Sequence, residues 1–66
     1  MKLNRETRDL VKVGTKIQLY NAIVTVLTVI EYRNGKAITV QWPDKRILYA
    51  EKLSNFYGCE IIEEEA

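Results

Sequence analysis

Six aromatic side chains, Tyr20, Tyr32, Trp42, Tyr49, Phe56 and Tyr57, are interleaved with the cations Lys16, Arg33, Lys36, Lys45 and Arg46. A Tyr or Trp ring offers a broad apolar face and a polar rim, the combination that recognises protein surfaces. A positive track broken by such rings is also what single-stranded nucleic acid requires, with phosphates meeting the cations and bases stacking on the rings. These are the two binding chemistries that the residue types allow.

Catalysis has less to draw on. The chain has no histidine, so a general base would have to be a carboxylate or lysine with a shifted pKa, held in a pocket that 66 residues have little room to build. Cys59 is the single cysteine, and its nearest potential bases in sequence, Glu60 and Lys52, are ordinary surface types. It is expected to be a small strand residue and not a nucleophile. One cysteine makes no internal disulfide, and without histidine there is no zinc constellation. The reading is of a chain that is no enzyme and has no metal and no cofactor.

Composition bounds the partners. At 47% hydrophobic residues the chain is too apolar for disorder, and the uncharged stretch ending at Ile30 is too short and too rich in threonine to span a bilayer. The opening "MKLNRETRDL" carries charges where a signal peptide needs its apolar core, so a cytoplasmic setting without membrane contact is expected. The net charge of +1 hides an asymmetry: residues 1–58 hold ten Lys and Arg against five acids, which is +5, and residues 59–66 hold four Glu, which is −4. A mildly basic body ends in an acidic tail at 63–66, expected to be a solubilising end.

The elements that must position these groups are strands. "TKIQLY" alternates, with Ile17 and Leu19 on one face and Lys16, Gln18 and Tyr20 on the other. "NAIVTVLTVIEYRNGKAITVQW" holds two β-rich runs around Asn34-Gly35, a pair that tolerates the positive φ of a type I′ turn, so strands over 23–32 and 36–42 form a hairpin. In the first run Val24, Val26 and Ile30 share one face and Ile23, Leu27 and Val29 the other, so burial changes sides near Val26 and Leu27, where a bulge or twist is expected. "RILYA" reads as a fourth strand, "EKLSNFYG" as one helical turn with Leu53 and Phe56 on one side, and "CEII" as a fifth strand. The first dozen residues read as an arm or a short helical turn capped by Asn4.

Four segments, "VGTKIQL", "AIVTVLTVI", "KAITVQWPD" and "LYAEKL", resemble the opening strand, the long bent strand, the strand ending in tryptophan and the helical turn of SH3-like small β-barrels of the Tudor and KOW type. The resemblance covers about Val13 to Ile62. It implies an all-β, five-stranded barrel at 13–62, preceded by an N-terminal arm at 1–12, and near its strand ends an aromatic cage to which Tyr20, Trp42 and Tyr49 would belong. Alternation places Trp42 with Ile38 and Val40, in or at the mouth of the core, and Phe56 inside. Tyr20, Tyr49 and Tyr57 remain as exposed partner-binding residues.

The expected function is a non-catalytic binding module recognising an unknown protein partner. It would use these tyrosines and the edge of the first strand between Ile17 and Ala22, which lacks the guard that Pro43, Asp44, Lys45 and Arg46 give the fourth; contacts between copies of the chain, a homo-oligomer, would use the same edge. The alternative is nucleic-acid binding through Lys16, Arg33, Lys36, Lys45 and Arg46, provided the hairpin tip and the turn after Trp42 lie side by side.

Overall fold

The alternating segment and the β-branched run after it fold as strands. In a computed structural model, which describes residues 1–62, they are β1 (Lys16–Leu19) and β2 (Ala22–Tyr32). β3 (Gly35–Gln41), β4 (Ile47–Lys52) and β5 (Glu60–Ile62) follow. Two 3-10 turns, η1 (Arg8–Leu10) and η2 (Leu53–Phe56), precede β1 and β5. The five strands form one antiparallel sheet in the order β4-β3-β2-β1-β5. The acidic tail expected at 63–66 lies outside the described residues, among which no helix is long and apolar enough to cross a membrane.

β2 changes the face it buries where its sequence does. Val24 and Val26 are buried, the register skips between Val26 and Thr28, and beyond the skip Val29 packs on the core while Ile30 turns outward. Leu27 is thus the extra residue of a bulge, and the strand bends there. β3 is an inner strand and buried on both faces: Ile38 and Val40 point into the main core with Leu53 and Phe56, and Ala37 and Thr39 are covered on the other side. Opposite Thr39, β4 has its own bulge, since Ile38 pairs with Glu51 and Val40 with Leu48. Ala50 takes the left-handed φ of +48° that the bulge requires, and its N–H donates to the Thr39 hydroxyl at 3.0 Å.

The hairpin joins β2 to β3 as expected, but its turn is displaced by one residue. Tyr32 pairs with Gly35, so Arg33 and Asn34 form the tip, and neither has a positive φ. The inner pairs Val26 with Val40 and Val29 with Ile38 lock the register, and the turn must fall where that register leaves it. The local preference of Asn-Gly for a type I′ turn is overridden.

Two further expectations change. The sheet does not close by hydrogen bonding into a barrel, because β4 and β5 each have a single strand neighbour and are not paired with one another. Nor is β1 an open edge, since it is paired with β2 on one side and β5 on the other. The pairing of β1 with β5 is long-range and leaves no mark on the local pattern of either strand.

The first dozen residues do contain a capped turn. The Asn4 side chain accepts from the N–H groups of Glu6 and Thr7 at 2.8 and 3.1 Å, and the Thr7 hydroxyl accepts from the Asn4 N–H at 2.8 Å. The same residues also give Leu3 and Val11 to the core. Leu3 is fixed by its backbone, its N–H donating to Cys59 O at 2.8 Å and its carbonyl accepting from Gly58 N–H at 2.7 Å, while Ile61 N–H donates to Met1 O at 2.7 Å. Residues 1–3 therefore cover the outer side of β5, and β4 is the open edge among the described strands.

Candidate functional site

Tyr20 occupies the tight turn between β1 and β2, where Leu19 pairs with Ala22. It lies beyond the end of the strand, with a left-handed φ of +46° and a fully exposed side chain. A tyrosine costs more than glycine or asparagine in that conformation. The turn brings it to the rim of a groove of about 480 Å³ that it lines together with Trp42, Leu48, Glu51, Phe56 and Tyr57. These residues come from the β1–β2 turn, the end of β3, β4 and the η2 segment. Trp42 is half-buried against the core, as its phase predicts.

Among the described residues, Glu51 is the only charged one lining the groove. The ring faces add the negative lobes of their quadrupoles to its carboxylate, so the groove suits a cation or a donor-rich group. One such contact exists inside the chain: the Arg46 guanidinium stands over the Trp42 ring, 5.6 Å from its centroid, and its Nε is 2.8 Å from Asp44 Oδ2. Trp42 can therefore hold a guanidinium. Cys59 also lines the groove, half-buried against the core.

Of the residues singled out in the sequence, Tyr20 and Tyr57 meet in this groove and Tyr49 does not line it, being an exposed side chain in the bulged part of β4. Glu51 was not singled out. Its position after Ala50 turns inward only because of the bulge, which reverses the alternation of β4.

The basic residues do not form one track. Arg33 and Lys36 lie at one end of β3 and Lys45 and Arg46 beyond the other, roughly 20 Å apart at the rise of a strand. Lys16 is on the outer face of β1 and lines a separate cleft with Lys45 and Trp42. The side-by-side placement that a single nucleic-acid track needs is absent. Two cations that were not singled out, Arg8 and Lys52, instead line a cleft with Lys36 and Tyr32.

Lys36 Nζ lies 3.0 Å from Asp9 Oδ1 and 3.5 Å from Glu31 Oε1. Its hydrogen bond holds the Asp9 carboxyl below the usual carboxylate range, and the same bond raises Lys36 above the usual lysine range. The stabilisation from Asp9 is present above the ordinary carboxylate pKa and is lost as pH falls through its lowered value; that from Lys36 is present below the ordinary lysine pKa and is lost as pH rises through its raised value. In Asp9→Asn, Lys36 is expected to titrate at a lower pH than in the unaltered chain. The side-chain carbon shifts of Lys36, followed through an alkaline titration, check this, and an unchanged midpoint would show that Asp9 does not hold it.

Compared with family models, curated proteins and solved structures, the chain matches none. Its site must be read from its own residues. Among the described residues no cluster of His, Cys, Asp and Glu could hold a metal ion.

Proposed function

We propose that this chain is a small, non-catalytic recognition module that binds an extended, basic peptide segment of a partner protein in the groove of Tyr20, Trp42 and Tyr57. The observation that carries the reading is Tyr20. Its ring is fully exposed and its backbone is left-handed, so neither core packing nor turn chemistry accounts for a tyrosine at that position. Exposed aromatics held in a strained turn are suited to contact a partner, and backbone outliers gather at binding sites.

The peptide lies along the free edge of β4, whose Leu48 and Glu51 line the groove, so that its main chain adds to the sheet while a Lys or Arg side chain meets Glu51 and the ring faces. The strand order, with a helical turn before a last strand that returns to pair with β1, fits an SH3-like small barrel that is open between β4 and β5. A cytoplasmic partner is in keeping with this reading.

Selection from a displayed library of random peptides should enrich Lys or Arg beside apolar residues. Tyr20→Gly keeps the left-handed turn and removes the ring, so it should weaken the selected peptides about tenfold or more, or about 1.4 kcal/mol, while the melting temperature stays level or rises. Glu51→Lys should abolish the preference for basic residues. Peptides that bind Tyr20→Gly as well as the unaltered chain would remove the groove from consideration.

A further inference from the structure

From a second cleft we infer that the chain also binds a nucleotide, its phosphate held by Arg8, Lys36 and Lys52 and its base stacked on Tyr32. The cleft lies between η1, the β2–β3 turn and the junction of β4 with η2, and has a volume of about 390 Å³, the scale of one nucleotide. Among the described residues three cations line it and no carboxylate does. They arrive from three different elements, η1, the start of β3 and the end of β4, so their convergence is a product of the fold and not of a local basic run.

Gathering like charges raises the energy of the folded chain unless an anion answers them. Lys36 is steadied by Asp9 and Glu31, which orient its ammonium, whereas Arg8 and Lys52 make no ion pair among the described residues. Tyr32, at the end of β2, is 56% exposed and presents a ring as a platform on the same cleft. The hydroxyl of Ser54 and the amide of Asn34 supply donors and acceptors for a sugar or base edge. Cations beside a free aromatic face, with neutral polar groups between, suit a nucleotide better than a bare phosphate. The nucleotide is either a free mononucleotide or one unit of a single strand, since both present the same base and phosphate.

Two probes separate these sources, a short fluorescein-labelled oligouridylate read by anisotropy and AMP read by amide shifts, both with the whole chain at about 50 mM salt. At least one should bind, with shifted amides confined to residues 8, 32–36 and 52–57. Binding of the oligouridylate alone assigns a strand, and comparable binding of both assigns a mononucleotide. For the strand, the logarithm of affinity should fall with that of salt at a slope of about −2, since each of three contacts contributes about 0.7. Arg8→Glu with Lys52→Glu should weaken binding at least about tenfold and Tyr32→Ala about fivefold or more, while Tyr20→Gly leaves it unchanged. Failure of both probes to bind, undiminished binding by a folded Arg8→Glu, Lys52→Glu variant, or shifts confined to other residues would overturn the site.

Discussion

Ile38→Ala is expected to cost about 2–4 kcal/mol, most of the stability available to a domain of this size. Ile38 is fully buried and lies at the middle of β3, an inner strand, paired with Val29 on one side and Glu51 on the other. Its side chain packs in the cluster that joins Val26 and Val40 to Leu53 and Phe56. Removing three carbons there leaves a cavity that neither β2 nor η2 can close without breaking the pairing on both sides of β3. A thermal melt should shift down by about 10–25 °C. Ile30→Ala is the control, because Ile30 stands 41% exposed on the other face and its truncation should cost under about 1 kcal/mol. An Ile38→Ala protein that melts with the unaltered chain would show that β3 does not carry the core.

Leu3→Ala should be nearly as severe, at about 2–4 kcal/mol, although nothing near Leu3 in the sequence marks it as a core residue. The side chain is fully buried, and its backbone holds the segment that covers β5. The substitution therefore has a second consequence, since a loosened segment uncovers a strand edge that can pair with another copy. Sedimentation at increasing concentration should show more association than the unaltered chain does, together with a lowered melting temperature. A variant that melts normally and stays in the same state of association would mean that residues 1–3 do not close the sheet.

These two residues mark how far the sequence could be read. Ile38 was legible because it sits in a regular alternation bounded by turn residues, and the same kind of pattern located all the strands, the helical turn and the bulge at Leu27. Leu3 was not legible, because it and Val11 are isolated apolar residues among charges, without a period of either secondary structure, and their burial depends on a contact with residues at the other end of the chain. The identity of the open edge failed for a related reason, since a strand's edge status depends on its partner and β1 finds β5 only after the intervening chain has folded back. In the groove, Tyr20 and Tyr57 could be picked out as aromatics out of phase with the core. Tyr49 is exposed as expected but does not line the groove, and Glu51 could not be picked out, because the bulge at Ala50 reverses the alternation of β4 and turns Glu51 inward. Arg8 and Lys52 were not grouped with the other cations because a cluster drawn from three elements has no linear signature.

The clasp of residues 1–3 on β5 also sets an order of events in folding. The β1–β2, β2–β3 and β3–β4 pairings are hairpins between neighbours, which close short loops and form quickly. The groups that residues 1–3 pair with, from Gly58 to Ile61, are far along the chain, Met1 and Glu60 being 59 positions apart. That contact closes the longest loop in the sheet and carries the largest closure entropy. The meander can therefore form first, whereas burial of Leu3 and closure of the β5 side come last, and until they do Leu3 stands in water and the outer side of β5 is unshielded.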